Sequence, residues 1–138
     1  MNNLENFLVD NNQKNLFYRI GSHSSYMECY EINNGIFKAK WVVQLHEKDN
    51  EKIQIVQDKN SVYILSDDLT AYSKENGREL WRKKRVGGRY RRQKLHISGN
   101  YLFANDPNDT LPNIYDLSSR GKELEFEMNY NVYPKTKY

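Results

Sequence analysis

Short apolar runs set two residues apart, punctuated by turn residues, dominate the chain. Residues 52–57 (KIQIVQ) alternate apolar and polar positions, as a strand with one buried face does. Residues 61–66 (SVYILS) form a β-branched and aromatic run that predicts a more fully buried strand. Residues 69–73 and 78–82 complete a set of four strands. Asp58-Lys-Asn60, Asp67-Asp68 and Glu75-Asn-Gly77 serve as turns, the Asn-Gly pair being a hairpin signal because both residues tolerate positive φ. Four short antiparallel strands in about 30 residues predict one meander sheet.

The pattern recurs on both sides. Downstream, strands are predicted at 94–98, 101–105, 113–117 and 122–127, with Gly99-Asn100 and Ser118-Ser-Arg-Gly121 as turns. Upstream, they are predicted at 15–20, 26–32 and 37–43, with Asn33-Asn-Gly35 as a turn. The first unit draws its missing strand from residues 5–10; a short helix capped by Asn3, with Leu4, Phe7 and Leu8 on one face, is the alternative. Residues from Tyr130 onward read as an edge strand or a frayed tail. Tyr30, Tyr72 and Tyr115 are spaced by 42 and 43 residues, and Gly35, Gly77 and Gly121 by 42 and 44. Periods near 40 with four strands each predict blade-like repeats over about 5–45, 52–86 and 94–128 within a single domain, 1–138. The fold class expected is all-β: antiparallel meander sheets in an incomplete, propeller-like stack of about three blades. The register of the aromatic that follows each glycine varies: Trp81 lies four residues after Gly77, Trp41 six after Gly35, and Phe126 five after Gly121. That last spacing puts Phe126 on the opposite sheet face unless a bulge intervenes.

Composition sharpens this picture. A chain of 138 residues suits one domain. Mean hydropathy is −0.95, yet aromatics are 13% of residues, which argues against a disordered chain. The lone cysteine, Cys29, makes no intramolecular disulfide. No apolar run reaches the roughly 20 residues that span a bilayer, and the first residues lack the basic and apolar regions of a signal peptide. A cytoplasmic protein without a membrane partner is expected. The net charge of +3 conceals an asymmetry. Residues 82–94 hold eight Lys or Arg and no acid, leaving 13 basic residues against 18 acidic ones elsewhere.

Ala71-Tyr-Ser-Lys-Glu-Asn-Gly-Arg-Glu-Leu-Trp81 resembles the repeat of quinoprotein-type (PQQ-like, tryptophan-docking) β-propellers, which reads roughly Ala-Leu-Asp-x-x-Thr-Gly-Lys-x-x-Trp. Ala71, Gly77 and Trp81 match by identity and Arg78 by charge, whereas Ser73 and Asn76 replace the usual Asp and Thr. The resemblance implies that Gly77 serves a turn and that Trp81 packs between blades, with Gly35, Gly121 and Trp41 as weaker equivalents. Family propellers have seven or eight blades. About three cannot close a ring, which leaves an open, sandwich-like stack or completion by oligomerisation. Equivalents of the quinone-binding residues and of the adjacent-cysteine disulfide are missing, so the resemblance implies a scaffold without a cofactor.

No residue set forms a catalytic signature. His23, His46 and His96 are scattered without metal-ligand spacing. Cys29 reads as a packed strand thiol, and His23-Ser24-Ser25 lacks a defined base–nucleophile arrangement. Asp67-Asp68 and Asp106/Asp109 read as turn carboxylates, and Gly87-Gly88 is too short for a phosphate loop. The basic segment offers Arg82, Lys83, Lys84, Arg85, Arg89, Tyr90, Arg91, Arg92 and Lys94 as partner contacts. It reads as a solvated loop, as a strip that binds phosphates while Tyr90 stacks on a base, or as an arm that docks on an acidic protein surface or cleft. The function expected is that of a small non-enzymatic interaction module, an inhibitor or bacterial immunity-type protein that neutralises a cognate toxin or effector. A nucleic-acid-binding module and a scaffold subunit of a larger assembly are the alternatives.

Overall fold

The computed structural model describes residues 7–21, 26–46, 53–84, 86, 93–106 and 111–132. Among the described residues the fold is all-β, with three antiparallel four-stranded sheets. The first contains β1 (Phe7–Val9), β2 (Leu16–Ile20), β3 (Tyr26–Asn33) and β4 (Ile36–Gln44). The second contains β5 (Gln54–Gln57), β6 (Ser61–Leu65), β7 (Leu69–Ser73) and β8 (Glu79–Lys83). The third contains β9 (Lys94–Ser98), β10 (Tyr101–Asn105), β11 (Asn113–Asp116) and β12 (Lys122–Glu123). Within each sheet the strands lie in chain order, the simplest solution for short strands joined by tight turns.

The sheets stack face to face, with the second in the middle. Every residue of β6 is buried. Val62 and Ile64 pack with Tyr18, Met27 and Cys29 of the first sheet. Tyr63 and Leu65 pack with Leu102, Ala104 and Tyr115 of the third. A strand covered on both faces has no reason to alternate, which accounts for the unbroken run at 61–65. The outer sheets keep one face toward solvent and do alternate, as in β2, where Leu16, Tyr18 and Ile20 are buried and Arg19 is exposed.

Residues 7–9 form the strand expected within 5–10, and not the alternative helix. Other local expectations change. The Asn76-Gly77 pair does not make the two-residue turn with two positive φ values. Only Gly77 is left-handed, at φ 77°, and Ser73 pairs with Arg78 across a four-residue loop closed by Gly77 N–H to Ser73 O at 2.8 Å. The tight Asn-Gly hairpin instead joins β3 to β4, where Asn34 (φ 53°) and Gly35 (φ 82°) lie between the paired residues Asn33 and Ile36. The strand predicted at 122–127 is confined to Lys122–Glu123, with Leu124 N–H to Ile114 O (2.8 Å) adding one bond to β11, which begins at Asn113 and so does not reach a position opposite Phe126. Phe126 therefore lies beyond the strand and is 58% exposed. At the end of the described chain, residues 130–132 form a 3-10 turn.

Candidate interaction surfaces

The basic segment connects the last strand of the second sheet to the first strand of the third. Antiparallel order places its described ends, the C-terminus of β8 and the N-terminus of β9, at the same end of their sheets as the turn 66–68 and the C-terminus of β10. Arg82 is half-buried on β8 with its Nε 3.7 Å from Asp68 Oδ2, and Lys83 Nζ stands 6.0 Å from the Trp81 ring centre. Both cations thus have intramolecular partners, each a contact of about 1 kcal/mol or less. Lys84 and Lys94 are exposed. Arg85, Arg89, Tyr90, Arg91 and Arg92 lie outside the described residues. Two anchors of the segment carry no charge. Val86 is buried in the core between the second and third sheets. At the other end, the Gln54 side chain donates to Gln93 O and accepts from Leu95 N–H.

Each junction between sheets is made by an indole on a glycine. A Cβ on Gly77 would lie 2.5 Å from Trp41 Cε3, and one on Gly121 would lie 2.8 Å from three carbons of Trp81. The Trp41 indole N–H donates to Lys74 O at 2.8 Å, and Arg120 Nη2 donates to Leu80 O at 2.9 Å. Bulges aim both rings. The β3–β4 register shifts after Cys29, which faces Trp41, and the β7–β8 register shifts after Ala71, which faces Trp81. Tyr18 and Tyr63 brace the rings at 5.9 and 5.8 Å between centres. Gly35 differs from the other two, because a Cβ there would meet nothing within 4 Å. Tyr72 and Tyr115, each 2% exposed, are buried against the preceding sheet, whereas Tyr30 at the equivalent position is half-exposed.

A buried polar network reinforces the first junction, and no local pattern in the sequence announces it. Asp10 accepts from the backbone of Asn12 (2.8 Å) and Gln13 (2.7 Å), from the Tyr18 hydroxyl (2.7 Å), and from Lys74 Nζ (2.8 Å). The Lys74 ammonium also donates to Asn11 Oδ1 (3.0 Å) and Gln57 Oε1 (2.9 Å), so all three of its protons are used. Burial alone would raise the Asp10 carboxyl, but the donors from Lys74, Tyr18, Gln13 and Asn12 outweigh it and hold the group down at about 2. The Tyr18 hydroxyl is pushed well above the usual phenol range by burial and by that carboxylate. An adjoining cleft of about 460 Å³ is lined by this network and by Lys40, Lys59 and Glu75. The second sheet repeats part of the device, for Asp58 accepts from the backbone of Asn60 and Ser61 and from the Tyr63 hydroxyl at 2.7 Å.

The remaining titratable groups are dispersed. His46 Nε2 meets Glu79 Oε1 at 2.6 Å on the surface, and His96 lies against Phe103. His23 lies outside the described residues. Cys29 is fully buried, and its thiol is pushed up to about 11, chiefly by burial. Among the described residues no group of three or more His, Cys, Asp or Glu is placed to hold a metal ion, and no helix is long and apolar enough to cross a membrane.

No family profile and no curated protein matches the chain. Among solved structures it is similar to BamB from Moraxella catarrhalis, with 12% identity and a TM-score of 0.36 over 81% of this chain. The match spans 49% of that structure, so the chain corresponds to about half its length.

Proposed function

We propose that this chain is a non-enzymatic protein-interaction module built on repeats of the PQQ-like type. We further propose that it acts as an inhibitor or immunity-type protein, binding a toxin or effector that presents an acidic surface. The observation that carries this reading is the segregation of charge. Eight cations and no acid occupy residues 82–94, on a chain otherwise richer in acids. Within that segment, Lys84 and Lys94 are exposed. Such a strip favours fast, oriented encounter with an anionic partner, and Arg and Tyr are common anchors of interfaces. The buried ionisable groups support a scaffold role, since Asp10, Lys74 and Tyr18 satisfy one another across a junction between sheets.

The test replaces Arg85, Arg89, Arg91 and Arg92 with Gln and compares the variant with the parent protein. The proposal expects an acidic protein to co-purify from host extract with the parent only, while circular dichroism is unchanged. Binding of a generic oligonucleotide at micromolar affinity, falling steeply with salt, would instead favour a nucleic-acid role. An acidic partner retained by the variant would remove the basis of the reading.

A further inference from the structure

We propose that two copies of this chain join head to tail. The outer face of the third sheet of each covers the outer face of the first sheet of the other, giving a ring of six sheets. This inference makes no use of the basic segment and is independent of the function proposed above.

The two internal junctions define what each face does. The forward face of a sheet carries an aromatic pair, Tyr18 with Trp41 or Tyr63 with Trp81. The backward face of the next sheet carries a glycine seat and a buried tyrosine, Gly77 with Tyr72 or Gly121 with Tyr115. Both junctions therefore have the same polarity. Among the described residues, one face of each kind is left uncovered.

The uncovered backward face belongs to the first sheet. Phe7, Phe17, Tyr30 and Phe37 form a continuous ring cluster there, with centres 5.2 to 6.0 Å apart in the four contacting pairs. Phe7 is 48% and Phe37 64% exposed. Contiguous exposed aromatics of this kind mark interaction surfaces. The uncovered forward face belongs to the third sheet. By strand pairing, Phe103 and Ile114 hold the positions that Tyr63 and Ala71 hold in the second, and Leu124 beside them is 42% exposed.

The two free faces also depart from the internal ones in complementary ways. Internally, the forward sheet supplies a ring and the backward sheet supplies an empty seat. In the second sheet a bulge lets the indole of Trp81 face Ala71, two residues after Glu79, which pairs with Tyr72; in the third, the pairs Asp116–Lys122 and Tyr115–Glu123 run without a bulge and Leu124 N–H bonds to Ile114 O, so the place opposite Ile114 falls to Leu124. The free forward face thus lacks its indole. The free backward face, in turn, lacks the seat. Its hairpin runs on through the pair Ile32–Phe37 to Asn33–Ile36 before turning, and Phe37 supplies a ring from the receiving side. A ring has moved from one partner of the contact to the other.

The number of copies follows from closure. Contacts of one polarity form a ring if the rotation closes and a filament if it does not. Propellers close with roughly four to eight blades. Two copies give six sheets, within that range, and three copies give nine.

Sedimentation equilibrium of the full chain tests this. The 16.5 kDa protomer is expected as a species of twice that mass at micromolar concentration. Phe37→Glu and Phe103→Glu, one on each free face, are each expected to give a monomer with unchanged circular dichroism. Mixing the two variants is expected to restore a 1:1 pair, because each keeps the face the other has lost. A parent protein that stays monomeric at 100-fold higher concentration, or that forms open-ended polymers, overturns the proposal. So does a dimer that Phe37→Glu dissociates and Phe103→Glu leaves intact, the signature of two first sheets pairing back to back.

Discussion

Trp41 covers Gly77 so closely that a methyl group on the glycine would stand 2.5 Å from the indole ring. The two residues come from different sheets and are joined further by the indole N–H bond to Lys74 O. Trp41→Ala is expected to destabilise the fold by about 3 kcal/mol, the lower part of the range for a large aromatic because the ring is half-exposed. Trp41→Phe keeps ring contact and loses the hydrogen bond, for about 1 kcal/mol. Urea denaturation of both variants checks the order.

The Asp10 carboxylate makes stability depend on acid. Its folded value of about 2 lies below its ordinary 3.8, so the unfolded chain takes up the proton first as pH falls. The contribution is complete above about 3.8 and is lost as pH drops through about 2. It amounts to about 2 kcal/mol. Asp10→Asn is expected to flatten the stability profile in that window. At neutral pH the variant loses about 3 kcal/mol, since Lys74 then lacks the carboxylate that neutralises its buried charge. Denaturation midpoints measured from pH 2 to 7 check both effects.

Cys29 is buried, and its thiol is raised to about 11. The thiolate is the reactive form, and burial withholds both ionisation and access. Alkylation at pH 8 is expected to be at least 100-fold slower in the native protein than in urea. Mass spectrometry against time gives the rate.

Much of the sheet order was legible in the sequence, because strands covered on one face alternate and the strand covered on both does not. Residues 61–65 and 16–20 show the two cases. The turn chemistry was less legible. Asn34-Gly35 and Asn76-Gly77 look alike, yet only the first makes a two-residue turn, since the ring of Trp41 occupies the space beside Gly77. Residues 122–127 alternate and predict a strand, but pairing needs a neighbour, and β11 begins at Asn113, too late in the chain to face Phe126. The Asp10–Tyr18–Lys74 network joins residues up to 64 positions apart, beyond the reach of any local pattern. In the basic segment the charges are conspicuous, whereas the anchoring by Val86 and Gln54 depends on tertiary packing.

The stack holds together because an indole from one sheet seats on a glycine of the next. Chemical denaturation of Gly77→Ala beside Gly35→Ala probes that seating without disturbing the indole itself. Both glycines have positive φ, 77° and 82°, so both variants bear the backbone penalty of about 1–2 kcal/mol. Only Gly77 has the indole against it, which adds about 1–3 kcal/mol of overpacking. Gly77→Ala is therefore expected to be the more destabilised by at least about 1 kcal/mol. Equal losses at the two positions would mean that the indole does not seat on Gly77.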